Sequence, residues 1–193
     1  MQPTSASLIA TLWPAEGVAR LARSVLLVVA GTALLTVCAK TQVPFWPVPM
    51  TMQTWAVLMI GAAYGWRLGG ATVLAYLAEG AAGLPVFAGA TAGPAYLAGP
   101  TAGYLVGFVL AAALIGWLAE RGWDRDLPRL LLGLGMATVV PFVTGVVWLS
   151  TIVGIERAID GGLLPFIPGA VLKLALAAAL LTVGWRLVHR LRG

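Results

Sequence analysis

The stretch LLLGLGMATVVPFVTGVVWLSTIV, residues 130–153, contains no charged side chain. A helix that crosses a bilayer needs about 20 predominantly apolar residues, so this stretch predicts a transmembrane helix. Apolar residues make up 60% of the whole chain and charged residues 10%, whereas soluble domains are about 25% charged. We therefore expect an all-α integral membrane protein, a bundle of six transmembrane helices. The predicted spans are 20–39, 52–65, 68–82, 103–119, 130–153 and 167–188.

The six spans form a single transmembrane domain, 1–193, in which residues 1–17 are expected to be an interfacial lead-in. Lys and Arg residues sort unequally between the two sides of this arrangement, and the positive-inside rule then places both termini in the cytoplasm. The prediction is a multi-pass protein of the cell (inner) membrane. The basic side is predicted to hold Arg20, Arg23, Arg67, Arg121, Arg125, Arg129, Arg186, Arg190 and Arg192, and the outer side Lys40 and Arg157.

The net charge of +5 is explained by this topology and by contact with anionic membrane lipid. The basic residues are dispersed, so no nucleic acid partner is expected. Cys38 and His189 are the sole residues of their types, which argues against a disulfide, a metal site or a His-based catalytic site. Neither lysine lies in a GxxxxGK[ST] loop. We predict that the chain is not an enzyme and has no cofactor.

Two loops between the spans are apolar and rich in Gly and Pro, at 40–50 and 83–102. Non-helical backbone at membrane depth is tolerated only against protein or a wet cavity. We expect these outer loops to pack onto the helices and to cap an outward-facing pocket.

Two ionisable residues fall inside predicted spans. Lys173 lies about six residues into the last span, roughly 9 Å from its outer end. Its ammonium could snorkel to the interface or bind the carboxylate of a ligand. Glu79 lies about eleven residues into the third span, where a carboxyl group must be protonated or paired. It could pair with Lys173 or backbone, contact a ligand, or take part in proton linkage.

Uncharged polar side chains near the outer loops are further candidates for ligand binding. Gln53 offers both a donor and an acceptor to a polar ring. Thr101 and Tyr104 lie beside glycines that repeat every four residues, a spacing that close helix packing also explains, and Tyr96 lies in the second apolar outer loop. On the first span, Ala30 and Ala33 contribute to a small-residue surface, for which packing inside the bundle and docking of a membrane partner are both consistent with the spacing.

Four strings resemble, in order and spacing, the BioY family, the biotin-binding S components of energy-coupling factor (ECF) transporters. They are PFWPVPMTMQTWAVLMIGAAYGWRLGG from residue 44, LAEGAAGLPVFAG from 77, YLAGPTAGYLVGF from 96 and LPFIPGAVLKLAL from 164. The resemblance implies a six-helix substrate-capture protein that binds biotin from the outer side. It also implies work with a membrane coupling subunit and two ATPases, while a homo-oligomer is left open.

The family positions carry over unevenly. The glutamine of the PVPxTxQT motif is Gln53, and the lysine three residues after the usual PGD triplet is Lys173. The aspartate of that triplet is replaced by Ala170, so Glu79 is a candidate substitute for it. The alternative to biotin capture is a membrane-embedded scaffold or assembly protein without a small ligand, in which Lys173 only snorkels.

Overall fold

The computed structural model describes residues 7–192; residues 1–6 of the expected lead-in lie outside this range. The described chain is mostly helical. Its elements are α1 (Leu8–Leu12), α2 (Gly17–Lys40), β1 (Gln42–Val43), β2 (Met50–Thr51), α3 (Gln53–Tyr64), α4 (Trp66–Ala81), α5 (Pro94–Leu97), α6 (Ala102–Glu120), α7 (Leu127–Val153), α8 (Ile155–Gly162) and α9 (Ile167–Arg192). Short 3₁₀ turns at Trp123–Arg125 and Leu164–Phe166 precede α7 and α9.

Each of the six predicted apolar runs lies in a helix, but the helices differ in length. Within residues 7–192, four helical segments are long and apolar enough to cross a membrane: Gly17–Lys40, Ala102–Glu120, Leu127–Val153 and Ile155–Arg190. The helices α3 and α4 have 12 and 16 residues, which corresponds to about 18 and 24 Å. Both are shorter than the hydrocarbon core of a bilayer, roughly 30 Å thick.

Two features shape the turn between α3 and α4: the backbone conformation of Gly65 and a hydrogen bond from the turn to a carboxylate of another helix. Gly65 has φ +84°, a backbone conformation that residues other than glycine rarely adopt. The Glu120 carboxylate of α6 accepts a hydrogen bond of 3.2 Å from the Trp66 backbone N–H. This contact satisfies a free N–H group at the start of α4 and places negative charge at the helix N-terminus.

The helix α6 lies at the centre of the bundle, where it packs against α3, α4 and α7. Two of the repeating glycines, Gly103 and Gly107, face α7. A Cβ atom added at either position would overlap Thr144, and at Gly107 it would also overlap Pro141. These two glycines therefore allow the two backbones to approach closely, as helix packing in membranes favours.

The first apolar loop differs from the all-α prediction because it contains a short antiparallel ladder. Gln42 pairs with Thr51 and Val43 with Met50. The ladder pairs backbone groups that an irregular loop at this depth would leave unsatisfied. The tip of the same loop packs only in part: the Phe45 ring meets Phe166 edge-on with centroids 6.1 Å apart, whereas Trp46 is 72% exposed.

At the end of the bundle away from the two apolar loops, a buried carboxylate connects the turn before α7 to α9. Asp124, in the turn before α7, accepts a 2.7 Å hydrogen bond from the Trp185 indole of α9. Burial raises the pKa of Asp124 to about 6, although the Trp185 bond and the nearby Arg125 guanidinium oppose that rise. Arg125 also lies over the Trp185 ring, 4.6 Å from its centroid. The contact fastens α9 to the turn between α6 and α7.

Replacement of Gly65 by alanine is expected to lower the stability of the fold. The new Cβ would meet the Glu120 carboxylate in a backbone conformation that L-residues avoid, at a cost of about 1 to 3 kcal/mol. Gly135→Ala is the matched control, because a Cβ atom added there would have no atom within 4 Å. Thermal unfolding in detergent should show a lower Tm for Gly65→Ala alone, and equal Tm values for the two variants would contradict this account.

Candidate functional site

A small enclosed cavity lies between α3, α6, α7, α9 and the two apolar loops. Its volume is about 50 Å³. The lining combines aromatic and aliphatic side chains with a few polar groups, as is typical of small-molecule sites. The lining residues are Val48, Pro49, Thr51, Gln53, Thr54, Ala88, Tyr96, Thr101, Tyr104, Leu105, Phe108, Pro141, Phe142, Phe166, Ala170 and Lys173.

Gln53 contributes a buried amide that is held in place on both sides. It is the first residue of α3 and is 4% exposed. Its Nε2 donates to the Tyr76 hydroxyl at 2.9 Å, and its Oε1 accepts from the Thr51 hydroxyl at 3.1 Å. A side-chain amide has two N–H donors and an oxygen with two acceptor sites. One donor and one acceptor site of Gln53 therefore remain for a ligand.

Lys173 contributes a positive charge to the same wall of the cavity. Its Nζ donates to the Thr51 carbonyl at 2.6 Å and to the Thr54 hydroxyl at 3.3 Å. Within residues 7–192, no acidic side chain lies within ion-pair distance of this ammonium. An ammonium has three donors, so one donor and the full charge remain available to an anion.

Tyr96 and Thr101 form the wall of the cavity that faces the loops. The Tyr96 ring stacks on Phe87 with centroids 4.6 Å apart and an interplanar angle of 15°. Burial raises the pKa of Tyr96, while the Thr101 side chain and the Ala88 backbone oppose that rise. The hydroxyl therefore stays protonated at neutral pH and can act as a donor.

Tyr104 lines the cavity with its ring, while its hydroxyl is committed to a structural contact. The hydroxyl donates to the Gly162 carbonyl of α8 at 2.7 Å. A Cβ atom at Gly145 would overlap the same ring, so the tyrosine is tightly enclosed between α7 and α8. Tyr104 thus offers a ligand an aromatic surface.

The structure brings five of the six candidate binding residues together and leaves Glu79 apart. Lys173, Gln53, Tyr96, Thr101 and Tyr104 all line the cavity. Glu79 is half-buried near the end of α4, outside that lining, and makes no ion pair with Lys173 in the described chain.

The small residues proposed for docking lie away from the cavity. Ala30 and Ala33 are exposed on α2, beside large exposed side chains such as Val29 and Val37. Their small side chains are not used for packing inside the bundle.

Sequence reasoning missed Tyr76, which supports the amide of Gln53. Tyr76 is fully buried on α4, and its hydroxyl donates to the Val86 carbonyl at 2.9 Å while it accepts from Gln53. A tyrosine inside an apolar span is a weak signal, because its ring alone explains its burial. Its pairing with Gln53 depends on how α3 and α4 pack, which spacing does not give.

A model of the BioY family matches residues 6–190. The chain belongs to the BioY family. The probable biotin transporter BioY of Pyrococcus horikoshii is 38% identical over 156 residues, which cover 81% of this chain and 92% of that relative. The biotin transporter BioY of Thermotoga maritima is 39% identical over 150 residues, which cover 76% and 86% of the two chains.

A solved structure confirms the fold of this BioY-family chain. It is the S-component for biotin from an ECF-type ABC transporter, and it matches with a TM-score of 0.76 and 25% identity. The match covers 87% of this chain and 93% of that chain. The predicted resemblance to the BioY family is therefore confirmed, and the chain is a membrane protein with the S-component fold.

Removal of the Tyr76 hydroxyl should destabilise the site. Tyr76→Phe leaves a Gln53 N–H donor and the Val86 carbonyl without their partner, at a cost of about 1 to 3 kcal/mol. Tyr64→Phe is the control, because the Tyr64 hydroxyl makes no hydrogen bond within residues 7–192. Thermal unfolding in detergent should give a lower Tm for Tyr76→Phe alone; an unchanged Tm would show that the Tyr76 bonds add no stability.

Proposed function

We propose that this chain captures biotin as the substrate-binding S component of an ECF-type transporter. The observation that carries the proposal is the cavity, which in a BioY-family chain combines the buried Gln53 amide with the Lys173 ammonium, a cation that forms no ion pair within residues 7–192. Biotin has a ureido ring that donates and accepts hydrogen bonds, and a valerate carboxylate that is best held by a cation. Capture and release require no nucleophile or metal, and the chain is accordingly a transporter component and not an enzyme.

The cavity geometry supports an orientation for the ligand. Lys173 and Gln53 both contact Thr51, so they form one polar wall. If Lys173 holds the carboxylate, the Gln53 amide and the hydroxyls of Tyr96 and Thr101 remain among the lining groups to pair with the ureido ring. The aromatic faces of Tyr104 and Phe108 would cover the apolar thiophane ring and chain.

The cavity of about 50 Å³ is far below the 300 to 1,000 Å³ that is usual for ligand pockets. Biotin therefore requires the surrounding loops to move outward. Glu79 has no part in this proposal, because it lies outside the cavity lining.

The sidedness that we propose follows from charge. The helices α3 and α4 are taken as two short spans, which gives six spans with both termini in the cytoplasm. The unequal distribution of Lys and Arg supports this topology. The cavity and the two apolar loops then face outward, and the protein is a multi-pass protein of the cell (inner) membrane, in contact with its lipid.

The partners that we propose are a membrane coupling subunit and two ATPases, and a homo-oligomer remains open. The chain would dock through the small face of α2 that contains Ala30 and Ala33. Exposure of both residues supports docking, since packing inside the bundle would have buried them. Small residues let two membrane helices approach closely.

Lys173→Ala should weaken biotin binding roughly 10- to 150-fold. The factor follows from a charge-assisted contact of about 1.5 to 3 kcal/mol at 1.4 kcal/mol per decade. Titration of purified protein in detergent with biotin and with its neutral amide provides the measurement. The amide should bind the wild type more weakly by a similar factor and should bind the variant as well as biotin does.

The amide comparison controls for structural damage, because Lys173 also holds the Thr51 carbonyl. Loss of that support would weaken both ligands equally. Equal losses for biotin and its amide in Lys173→Ala would show that Lys173 does not bind the carboxylate. Wild-type protein that binds no biotin, while it associates stably with membrane partners, would favour the scaffold alternative.

Bulky substitutions on α2 should separate docking from capture. Ala30→Trp or Ala33→Trp is expected to abolish co-purification with the coupling subunit and to leave biotin affinity unchanged, because neither residue reaches the cavity. Ala179→Trp, at an exposed position on α9, is the matched control and should retain both properties. Joint loss of binding and co-purification would place the α2 face inside the bundle.

A further inference from the structure

Lys40, the last residue of α2, makes two contacts that neither the cavity nor the proposed docking face explains. Its Nζ donates to the Phe87 carbonyl and to the Gly89 carbonyl, both at 2.8 Å. The acceptors lie 47 and 49 residues along the chain, in the loop that follows α4. We name residues 83–93 the lid segment. One ammonium thus joins the end of α2 to the lid segment.

The lid segment is packed through Phe87, the residue whose carbonyl Lys40 holds. Phe87 is fully buried, and a Cβ atom at Gly80 would overlap its ring. The ring meets Tyr76 edge-on, with centroids 5.5 Å apart, and stacks on Tyr96 at 4.6 Å. The position of Tyr96 therefore depends on where the lid segment holds Phe87.

Tyr96 belongs to a thin partition between two cavities. On the loop side of the enclosed cavity lies a wider cleft of about 630 Å³, bounded by the first loop, the lid segment and residues 95–101. Four residues border both spaces: Pro49, Ala88, Tyr96 and Thr101. A ligand that moves between the cleft and the enclosed cavity must pass this partition.

We propose that Lys40 is a positioning residue that fastens the partition and so sets the rate at which biotin leaves the enclosed cavity. The two carbonyls that Lys40 holds flank Ala88, which borders both cavities. When the ammonium releases them, Ala88 and the Phe87–Tyr96 stack are free to move together and the partition opens. This inference rests on the proposed function, since it concerns the release of the same ligand.

A competing role for Lys40 is attraction of the anionic ligand at a distance. Arg157, on the exposed face of α8, is a second basic residue at the loop end that does not line the enclosed cavity. Steering by charge raises association rates and weakens with salt, whereas a fastened partition governs dissociation. The two roles therefore differ in which rate they change and in the effect of salt.

The experiment measures biotin association and dissociation rates at low and high salt for wild type, Lys40→Met, Lys40→Arg and Arg157→Met. We expect Lys40→Met to speed dissociation about tenfold or more at both salt concentrations. Lys40→Arg keeps donors for the carbonyls and should restore most of the slow rate. Arg157→Met should dissociate like the wild type. An effect of Lys40→Met on association alone, matched by Arg157→Met and lost in high salt, would overturn the proposal.

A second measurement tests the fastening without biotin. The Gly93 N–H donates to the Gly80 carbonyl at 2.8 Å, and the Leu84 N–H to the Glu79 carbonyl at 3.1 Å. Hydrogen exchange of these amides should be faster in Lys40→Met than in wild type and Arg157→Met. Unchanged exchange would overturn the proposal even if biotin binds, whereas faster exchange in a protein that binds no biotin would reject only the proposed function. Lys40→Gln replaces Lys40→Met if the latter does not fold, with the same direction expected.

Discussion

Backbone carbonyls at the loop end of the bundle must find donors, because hydrocarbon supplies none. In this structure, side chains on the helices donate hydrogen bonds to these carbonyls. Three of these donors have a second role at the cavity: Lys173 and Tyr104 line it, and Tyr76 holds the Gln53 amide. The pairs are Lys173 with Thr51, Lys40 with Phe87 and Gly89, Tyr76 with Val86, Tyr104 with Gly162 and Trp148 with Gly99. The polar groups of the site are therefore also the supports of its loops.

Because these polar groups have two roles, a ligand in the cavity would bind to groups that already hold the loops. Lys173 and Gln53 each retain hydrogen-bonding capacity after they have satisfied the backbone or a neighbour, so a ligand completes an existing network. A ligand that occupies this capacity also stabilises the loops, since it joins groups that hold them. Substitutions in the site consequently change fold and affinity together, and only a comparison between ligands separates the two effects.

The features that depend on local composition could be predicted from the sequence. Uncharged runs predicted where helices lie, and motif spacing led to Gln53 and Lys173, which line one cavity. Glu79 lies three residues before the predicted end of its span at 82 and two before the observed end of α4 at Ala81, so its position along the helix was predicted well. Counting did not show which way its side chain turns, and the side chain lies outside the cavity lining.

Contacts across large separations could not be predicted in this way. The Lys40 bonds join residues nearly fifty positions apart, and they depend on the loop conformation after α4. The ladder between Gln42 and Thr51 was missed because prolines between the two short strands suggested an irregular loop. Both features arise because buried backbone groups need hydrogen-bond partners. The sequence shows that such partners are needed, but it does not show which residues provide them.

Ala170 shows how one departure from the family pattern changes the electrostatics of the cavity. Residues three apart on a helix are neighbours, so an aspartate at position 170 would be placed to neutralise Lys173 from the same helix. Ala170 borders the cavity here, and within the described residues no other carboxylate takes the place of that aspartate beside the ammonium. A charge held in a low-dielectric environment is costly without a counter-ion. The carboxylate of a bound ligand would supply that counter-ion, so the presence of alanine at position 170 strengthens the case that Lys173 binds an anion.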